Sequence, residues 1–587
     1  MSAHPAVGRT GMLAAGIAAF LVTVGIVIVM KSGQGAAAAA PLARPSKYIV
    51  DVELSERTYE VANASLKGRF VKGLKEMDWE KARAGLATGF RGRFPAPLEG
   101  REVADGWVGV RDYAAAGLPE LDADAFLGVL RDHLAGWAVV ERTTWRPFEF
   151  LLDPGLKSAY ISLHFQVAGQ KPDGLRADLS GILSGRIASA DGKDWHIERL
   201  EWVEGTRLDS SRPPWVDITD ETGLHFNESE SNLKLRRSMI DDRGLTTSGS
   251  LVVSDWNRDG FPDVLASVQT GILALFLNDG RGGFVRGKAP EVAPDHVATA
   301  YVALDLDGDG TDELVSGLVQ VDPGGKARFP VYIRRGEGWE TRWIRFDVPV
   351  GLHAVSVQGI VPDDFDRDGD LDLFFCCYSN GDSKHVEFNR VVAYDGADNY
   401  LFVNQGGFAF TEESDTRGLT GTQYTYVAKW WDFDFDGDLD LFEGNDFGPN
   451  HLWLNDGKGR FTDAKTHIFD ADTNYTMGVT IADWENDGTW GMYISNMYSH
   501  AGNRVFLLAD NMGPEMRRLG LLLAQGNQFY ECDPKSREWR ETAVSRRVNW
   551  ADWAWGTFFF DADNDGDRDL WVTNGFTTNT DPNAPDY

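Results

Sequence analysis

Residues 432–446, DFDFDGDLDLFEGND, decide how this chain folds. Asp432, Asp434 and Asp436 place a carboxylate at positions 1, 3 and 5, Gly437 stands at 6, and Asp440 stands at 9. The carbonyl of Asp438 at position 7 adds a further oxygen. Alternate side chains of a tightly curled loop point into one centre, and a glycine at position 6 permits the sharp turn. That is the grammar of a loop for a hard divalent cation, which takes six to eight oxygens at about 2.3–2.6 Å. Two unit charges about 4 Å apart repel by roughly 1 kcal/mol in water and roughly 4 kcal/mol at a near-surface dielectric. Four such charges without an ion would push the loop open, so folding is expected to depend on the metal.

The same loop recurs five more times: DWNRDGFPD from Asp255, DLDGDGTDE from Asp305, DFDRDGDLD from Asp364, DWENDGTWG from Asp483 and DADNDGDRD from Asp561. The first copy offers Asp255, Asn257, Asp259, Phe261 and Asp263, and the second offers Asp305, Asp307, Asp309, Thr311 and Glu313. The third offers Asp364, Asp366, Asp368, Asp370 and Asp372, and the fourth Asp432, Asp434, Asp436, Asp438 and Asp440. The fifth offers Asp483, Glu485, Asp487 and Thr489, and the sixth Asp561, Asp563, Asp565, Asp567 and Asp569. In every copy the seventh residue serves through its carbonyl. The copies with four Asp side chains, at Asp364, Asp432 and Asp561, are expected to bind calcium most tightly. Asn257 removes one charge, Glu313 must reach with a longer side chain, and Gly491 at position 9 leaves the Asp483 loop weakest or empty. Five to six calcium ions are expected.

These are not EF-hands. An EF-hand needs a bidentate Glu at position 12 and a helix on each side. Position 12 here is Ala266, Ser316, Phe375, Glu443, Ile494 and Val572. The flanks, such as SLVVS and TFFF before the loops and VLASV and LWVTN after them, are short apolar or alternating runs of strand type. Loop starts lie 50, 59, 68, 51 and 78 residues apart, averaging about 61. Gly-rich turns leading into an aromatic follow: LNDGRGGF ending at Phe284, RRGEGW at Trp339, VNQGGF at Phe408, LNDGKGRF at Phe461 and AQGNQF at Phe529. A unit reads as inner strand, acidic loop, second strand, third strand, Gly turn, outer strand. Four-stranded units of this size, repeated radially, make a β-propeller.

The pattern D-x-D-x-D-G-x-x-D-L with G-x-G-x-F resembles the FG-GAP or VCBS repeat of integrin-α-like propellers. FTEESDTRGL at 410–419, MGVTIADWENDG at 477–488 and WGTFFFDADNDGDRDLWVTNG at 555–575 resemble the cartilage acidic protein (ASPIC/UnbV-type) family over about residues 215–580. The resemblance implies an extracytoplasmic, calcium-binding, seven-bladed propeller with binding or adhesive roles. The chain ends at Tyr587, just past the last loop. WVDITDETGLHF at 215–226 resembles an outer strand and is expected to close the ring against the C-terminal blade, since closure removes exposed sheet edges. Six or seven blades are expected, seven favoured. A seventh would lie in 315–363, or in 491–555 around a helical insertion at PEMRRLGLLLAQ.

The 587 residues suit two or three domains. The net charge of −32 is extreme, but 22 acids are loop ligands and six Ca2+ ions would bring it to −20. The remaining acidity argues against nucleic acid as a partner. After a short segment at 1–10, residues 11–30 carry no charge for 20 positions, a helix of about 30 Å, the thickness of a bilayer core. A transmembrane anchor is favoured over a cleaved signal sequence, although GQGAAAAAP in the 31–47 linker offers a small-residue cleavage site. Either way the bulk is expected to be periplasmic, extracellular or secreted.

Residues 48–210 read as a separate α+β domain, with helical stretches at 65–90 and 122–137 followed by four long alternating runs. The order resembles the cone of nuclear-transport-factor-2-like (NTF2-like) proteins. His164 and His196 on its strands read as packing or surface groups. Cys376, Cys377 and Cys532 are too few for a disulfide framework and read as buried thiols. No H-E-x-x-H, G-x-S-x-G or phosphate loop is present, and Trp553 and Trp555 read as core packing. The expected function is therefore a non-enzymatic binding or adhesion module that takes a protein or glycan partner at the cell surface. The alternatives are a structural subunit of a membrane-anchored complex, or a carbohydrate-active enzyme using the propeller face or the N-terminal pocket.

Overall fold

A computed structural model describes residues 26–28, 42–104, 108–212, 216–226, 234, 249–268, 272–292, 300–322, 324–349, 355–379, 392–464, 474–509, 512–533, 535–562 and 565–575. The molecule is mainly β, with an α+β domain ahead of a propeller-like series of sheets.

The N-terminal domain opens on a helix at Val52–Leu66, capped by the Asp51 carboxylate on the Leu54 amide. Helical turns continue to Ala84, and the chain then becomes the strand Leu86–Arg93. The expected second stretch forms the helix Ala123–His133, whose Asp122 cap accepts the Ala125 amide. The four alternating runs form Val139–Leu152, Ser158–Gln170, Arg176–Ser189 and Trp195–Ser210, paired antiparallel in sequence order. Bulges at Val140/Arg142, Pro147/Glu149 and Ile182/Leu183 let the sheet curl. The helices fill its concave side through Tyr59, Phe70, Phe126 and Leu130, packed on Trp145, Phe165 and Trp202.

Six blade-like sheets follow. The first is a four-stranded meander from Leu251 to Arg286. The second runs from Tyr301 to Asp347 and is joined to the third, Val355–Glu412, through the strand Leu318–Val321. The fourth spans Tyr424–Asp463 and the fifth Gly478–Glu541. The sixth has inner strands Ala554–Phe560 and Asp569–Asn574. Successive innermost strands lie side by side in chain order. The 315–363 region belongs to the second and third sheets, and 491–555 holds the outer half of the fifth, so neither makes a blade of its own. The insertion holds two helices, His500–Leu508 and Pro514–Ala524, where one was expected. AQGNQF leads into the third strand of the fifth sheet, Gln528–Cys532, and the hairpin turn to its outer strand lies at 533–538.

Among the described residues, the expected closure strand is not paired with the last sheet. Residues 219–222 form a helical turn, and Ile26–Ile28 instead pairs antiparallel with Leu570–Val572. Of the apolar 11–30 segment, only those three residues are described, and they are extended rather than helical; the rest lies outside the described residues. Among the described residues, no helix is long and apolar enough to cross a membrane. The helical turn at 219–222 does occupy a repeated position. The Cβ position of Gly223 after it faces Phe284 O of the first sheet, as that of Gly418, after the turn Ser414–Arg417, faces Phe461 O of the fourth.

The two domains are locked together through the helix His500–Leu508. Arg504, 2% exposed at its side chain, makes two bonds to Glu56 at 3.0 and 3.1 Å, donates to Pro147 O at 2.6 Å and lies over the Tyr59 ring at 3.7 Å. Arg146 pairs with Asp552 at 2.6 Å, and Arg547 with Asp112 at 2.9 Å. His164 stacks on Trp550 at 3.9 Å and meets His500 at 3.0 Å, so its role is interface packing. All three cysteines are buried free thiols.

Arg504→Ala should destabilise the protein by about 3 kcal/mol in chemical denaturation, the lower end for breaking a buried pair, because Glu56 keeps partial access to water. Burial pushes His133 down to about 4 and His164 to about 3, with Arg207 and Arg146 adding to the effect. The unfolded state therefore takes the protons first. The stability held by the neutral rings is complete above about pH 6.5 and is lost as pH falls toward 4. Urea midpoints measured from pH 7.5 to 4.5 should fall, and His133→Asn should flatten that slope.

Candidate metal centres

Each acidic loop joins the innermost strand of its sheet to the second, as the strand pairings of all six sheets show. In the first five loops the curl comes from two left-handed backbone positions, with Gly308 (φ 71°) at position 4 of the second. Position 4 has φ of 58° at Arg258, 60° at Arg367, 62° at Phe435 and 53° at Asn486, and position 6 is glycine with φ of 81–98°. Only glycine takes such a conformation without cost. The position-1 carboxylate holds the curl by accepting the amide of that glycine. The six distances run from 2.8 to 3.1 Å: Gly260 to Asp255, Gly310 to Asp305, Gly369 to Asp364, Gly437 to Asp432, Gly488 to Asp483 and Gly566 to Asp561.

The ninth residue is the buried anchor. Asp263, Glu313, Asp372 and Asp440 are at most 1% exposed. One oxygen accepts the position-2 amide: Trp256 on Asp263, Leu306 on Glu313, Phe433 on Asp440 and Ala562 on Asp569, at 2.8–3.1 Å. In three sheets an oxygen of this residue accepts an amide at the end of the third strand: Asn278 on Asp263 and Asn455 on Asp440 use the second oxygen, and Asn404 bonds Asp372 Oδ1, at 2.8–2.9 Å. The sequence reading missed these asparagines. Each also donates its side-chain amide to the position-8 carbonyl, at Pro262, Leu371 and Leu439, and accepts from the glycine two residues on. The signal was present, because Asn precedes the Gly turn in LNDG, VNQG and LNDG.

Three loops gather positions 1, 3 and 9 so that one oxygen of each lies within 4.8 Å of the others: Asp305, Asp307 and Glu313; Asp364, Asp366 and Asp372; Asp432, Asp434 and Asp440. Glu313 thus reaches despite its length. Position 5 stands outside these groups, with its carboxylate turned to the position-7 amide, as Asp368 is to Asp370 and Asp436 to Asp438. The same turn holds Phe261 on Asp259, Thr311 on Asp309, Thr489 on Asp487 and Asp567 on Asp565. In the first loop Asn257 bonds to Asp259. Asp563 lies outside the described residues.

A cation fits these groups. Asp364 Oδ1, Asp366 Oδ1, Asp372 Oδ2 and Asp432 Oδ1 are buried and accept no hydrogen bond, and the first three belong to one group. Burial, with neighbouring loop carboxylates as a smaller cause, pushes Asp372 up to about 8 and Glu313 to about 7. Burial likewise raises Asp440 to about 7, with Asp434 adding to the rise. Oxygens so placed cost several kcal/mol as bare anions, and a divalent ion offsets that cost. The fifth loop differs for a steric reason. A Cβ on Gly491 would stand 2.8 Å from the Phe529 ring and from Trp484, so aromatic rings take the space of a ninth side chain. Glu485 Oε1 is still buried and unpartnered there.

Neighbouring loops are tied to one another. Arg258 at position 4 of the first loop pairs with Asp309 of the second at 2.7 Å, and Arg367 of the third with Asp438 of the fourth at 3.3 Å. Asn486 of the fifth donates to the Gly566 carbonyl of the sixth. A family model described as FG-GAP-like repeat matches residues 255–316 and 432–490, which contain the first, second, fourth and most of the fifth loop. The chain carries FG-GAP-like repeats. No curated protein matches it in sequence. Among solved structures, the Dos1 propeller is 8% identical over 76% of this chain and 98% of that one, with a TM-score of 0.30. A mutant of the Synechocystis apocarotenoid oxygenase is 9% identical over 74% and 87%, at 0.30. A conserved protein from Planctomyces limnophilus is 12% identical over 25% and 97%, at 0.19. Likenesses at these scores decide nothing about fold or chemistry.

Native mass spectrometry in millimolar calcium should count at least five ions. Asp440→Asn should remove one of them and lower the melting temperature, whereas Asp483→Asn should change the melting temperature little.

Proposed function

We propose that this chain is an exported, membrane-anchored binding or adhesion module, non-enzymatic, whose β-propeller is stabilised by calcium and presents its surface to a protein or glycan partner. The observation that carries this reading is the use of the carboxylates. The loop acids are engaged in holding inner, second and third strands together, and the loops are tied sheet to sheet, so the acidic clusters form a scaffold rather than a reacting centre. Six sheets are described, and a radial propeller of six or seven blades fits the side-by-side order of their innermost strands. The curled sheet at Val139–Ser210, with helices on its concave side, supports the NTF2-like reading of the N-terminal domain. The Arg504 lock makes that domain a rigid support for the propeller rather than a tethered module.

The FG-GAP-like repeats favour membership of the cartilage acidic protein type. Calcium fits the loop chemistry, because carboxylate and carbonyl oxygens in a flexible shell suit a hard cation, and weak sites stay filled at extracellular calcium levels. Export would place the loops where that calcium is available.

Photo-crosslinking of the full-length chain on intact cells should label one saturable surface partner in calcium and lose it on chelation. Labelling that is equal with and without chelator, or a chain found wholly in the cytosol by protease protection, would overturn the reading.

A further inference from the structure

A second polar group lies at the far end of the fourth sheet from its acidic loop. The strand Asp440–Gly448 begins at the metal group and carries Asp446 six residues on, roughly 20 Å away at the rise of an extended chain. The register sets Asp446 directly between Tyr424 on one neighbouring strand and Tyr475 on the other, so these three side chains share one face of the sheet. From the third sheet, the Tyr378 hydroxyl donates to Asp446 Oδ2 at 2.7 Å. Oδ1 is buried and has no hydrogen-bond partner, and the residue is 4% exposed.

Around this carboxylate stands a continuous group of rings. Tyr378 meets Tyr424 at 5.0 Å and Tyr426 at 5.6 Å, edge to face. Phe447 meets Tyr424 at 5.9 Å and Tyr475 at 5.3 Å, and Tyr426 meets Trp555 of the sixth sheet at 5.9 Å. Asp446 and Tyr424 are buried, while Tyr378, Tyr426, Phe447, Tyr475 and Trp555 are half-buried. Trp555 therefore belongs to this rim rather than to the core. Burial pushes the Asp446 carboxyl up to about 7; the groups that oppose this are the Tyr378 hydroxyl and the Phe447 amide, and no lysine or arginine is among them.

The chemistry selects the ligand. A hard metal ion wants six or more oxygens, and one carboxylate oxygen ringed by aromatic carbons does not supply them. A sugar is held by many neutral hydrogen bonds, whereas the orphaned polar atom of this group, Asp446 Oδ1, is a carboxylate oxygen set among aromatic rings. An organic cation wants one anionic counter-ion and aromatic faces, which attract it through their quadrupoles. We propose that Asp446 and the rings of Tyr378, Tyr426, Phe447, Tyr475 and Trp555 form a binding site for an alkylammonium group. This rests on the reading of the propeller as a binding module and deepens it, by placing the contact on the face opposite the loops and giving the partner's contact group a positive charge.

The test is calorimetric titration of the full-length, calcium-loaded chain with choline and with butylammonium, and with 3,3-dimethylbutanol as the uncharged isostere of choline. At least one ammonium should bind saturably at one site, the alcohol at least tenfold more weakly. Asp446→Asn should lose at least tenfold in affinity, with a melting temperature equal to or above the parent, since a buried anion with one orphaned oxygen is removed while an acceptor for the Tyr378 hydroxyl remains. Tyr426→Leu, at a half-buried ring, should weaken binding several-fold if the Asp446 variant does not fold. Absence of saturable ammonium binding, equal binding of the alcohol, or unchanged affinity in both variants would overturn the site. Because the probe is a small ion, the site can fail while the surface partner of the crosslinking experiment is still found, and the reverse also holds.

Discussion

The buried carboxylate at position 9 is the interaction on which the rest of the propeller-like region depends. In the fourth sheet Asp440 touches three segments at once. It accepts the Phe433 amide that starts the loop, accepts the Asn455 amide that ends the third strand, and faces Asp432 and Asp434. Losing it would free the loop from the sheet and leave two backbone amides without acceptors in the interior, each a cost of about 1–3 kcal/mol. The same carboxylate is expensive to keep charged, since it is buried beside other acids. A divalent cation would resolve that conflict by turning a repelling cluster into the fixed point of the blade. Structural stability and ion binding would then be one equilibrium.

Much of this was legible in the sequence because loop, turn and strand each leave a short-range signature. Asp-x-Asp-x-Asp-Gly needs no tertiary context to curl, and the flanking runs declare strands by composition. The order of inner strand, loop, second strand, third strand and outer strand was therefore readable in the first, third and fourth sheets. Where Gly turns were ambiguous, the reading slipped: AQGNQF resembled a hairpin but enters a strand, since the turn that matters, at 533–538, lacks the repeated glycines. The anchoring asparagines were passed over for another reason. Their backbone amides carry the contact to the carboxylate, and a backbone role leaves little trace in residue type.

Long-range arrangements were not legible. Nothing local in HAGNRVFLL announces that Arg504 will meet Glu56 from a segment nearly 450 residues earlier, or that His164 will stack on Trp550. The grouping of Tyr378, Asp446 and Trp555 draws on three different sheets, and each residue alone looks like an ordinary strand position. The pairing of Ile26–Ile28 with the last sheet was likewise hidden, because the run around it has the hydropathy of a helix and no period-two pattern.

Differential scanning calorimetry of the full-length chain, in millimolar calcium and again after exhaustive chelation, tests the account most directly. The account predicts that chelation lowers the melting temperature of the main transition by more than about 10 °C, since five ions each lending about 2–3 kcal/mol at calcium a hundredfold above Kd sum to over about 10 kcal/mol, and each kcal/mol shifts a domain of this size by somewhat more than about 1 °C, and that restoring calcium reverses it. A melting temperature unchanged by chelation would contradict the claim that the acidic loops are the metal-held pins of the fold.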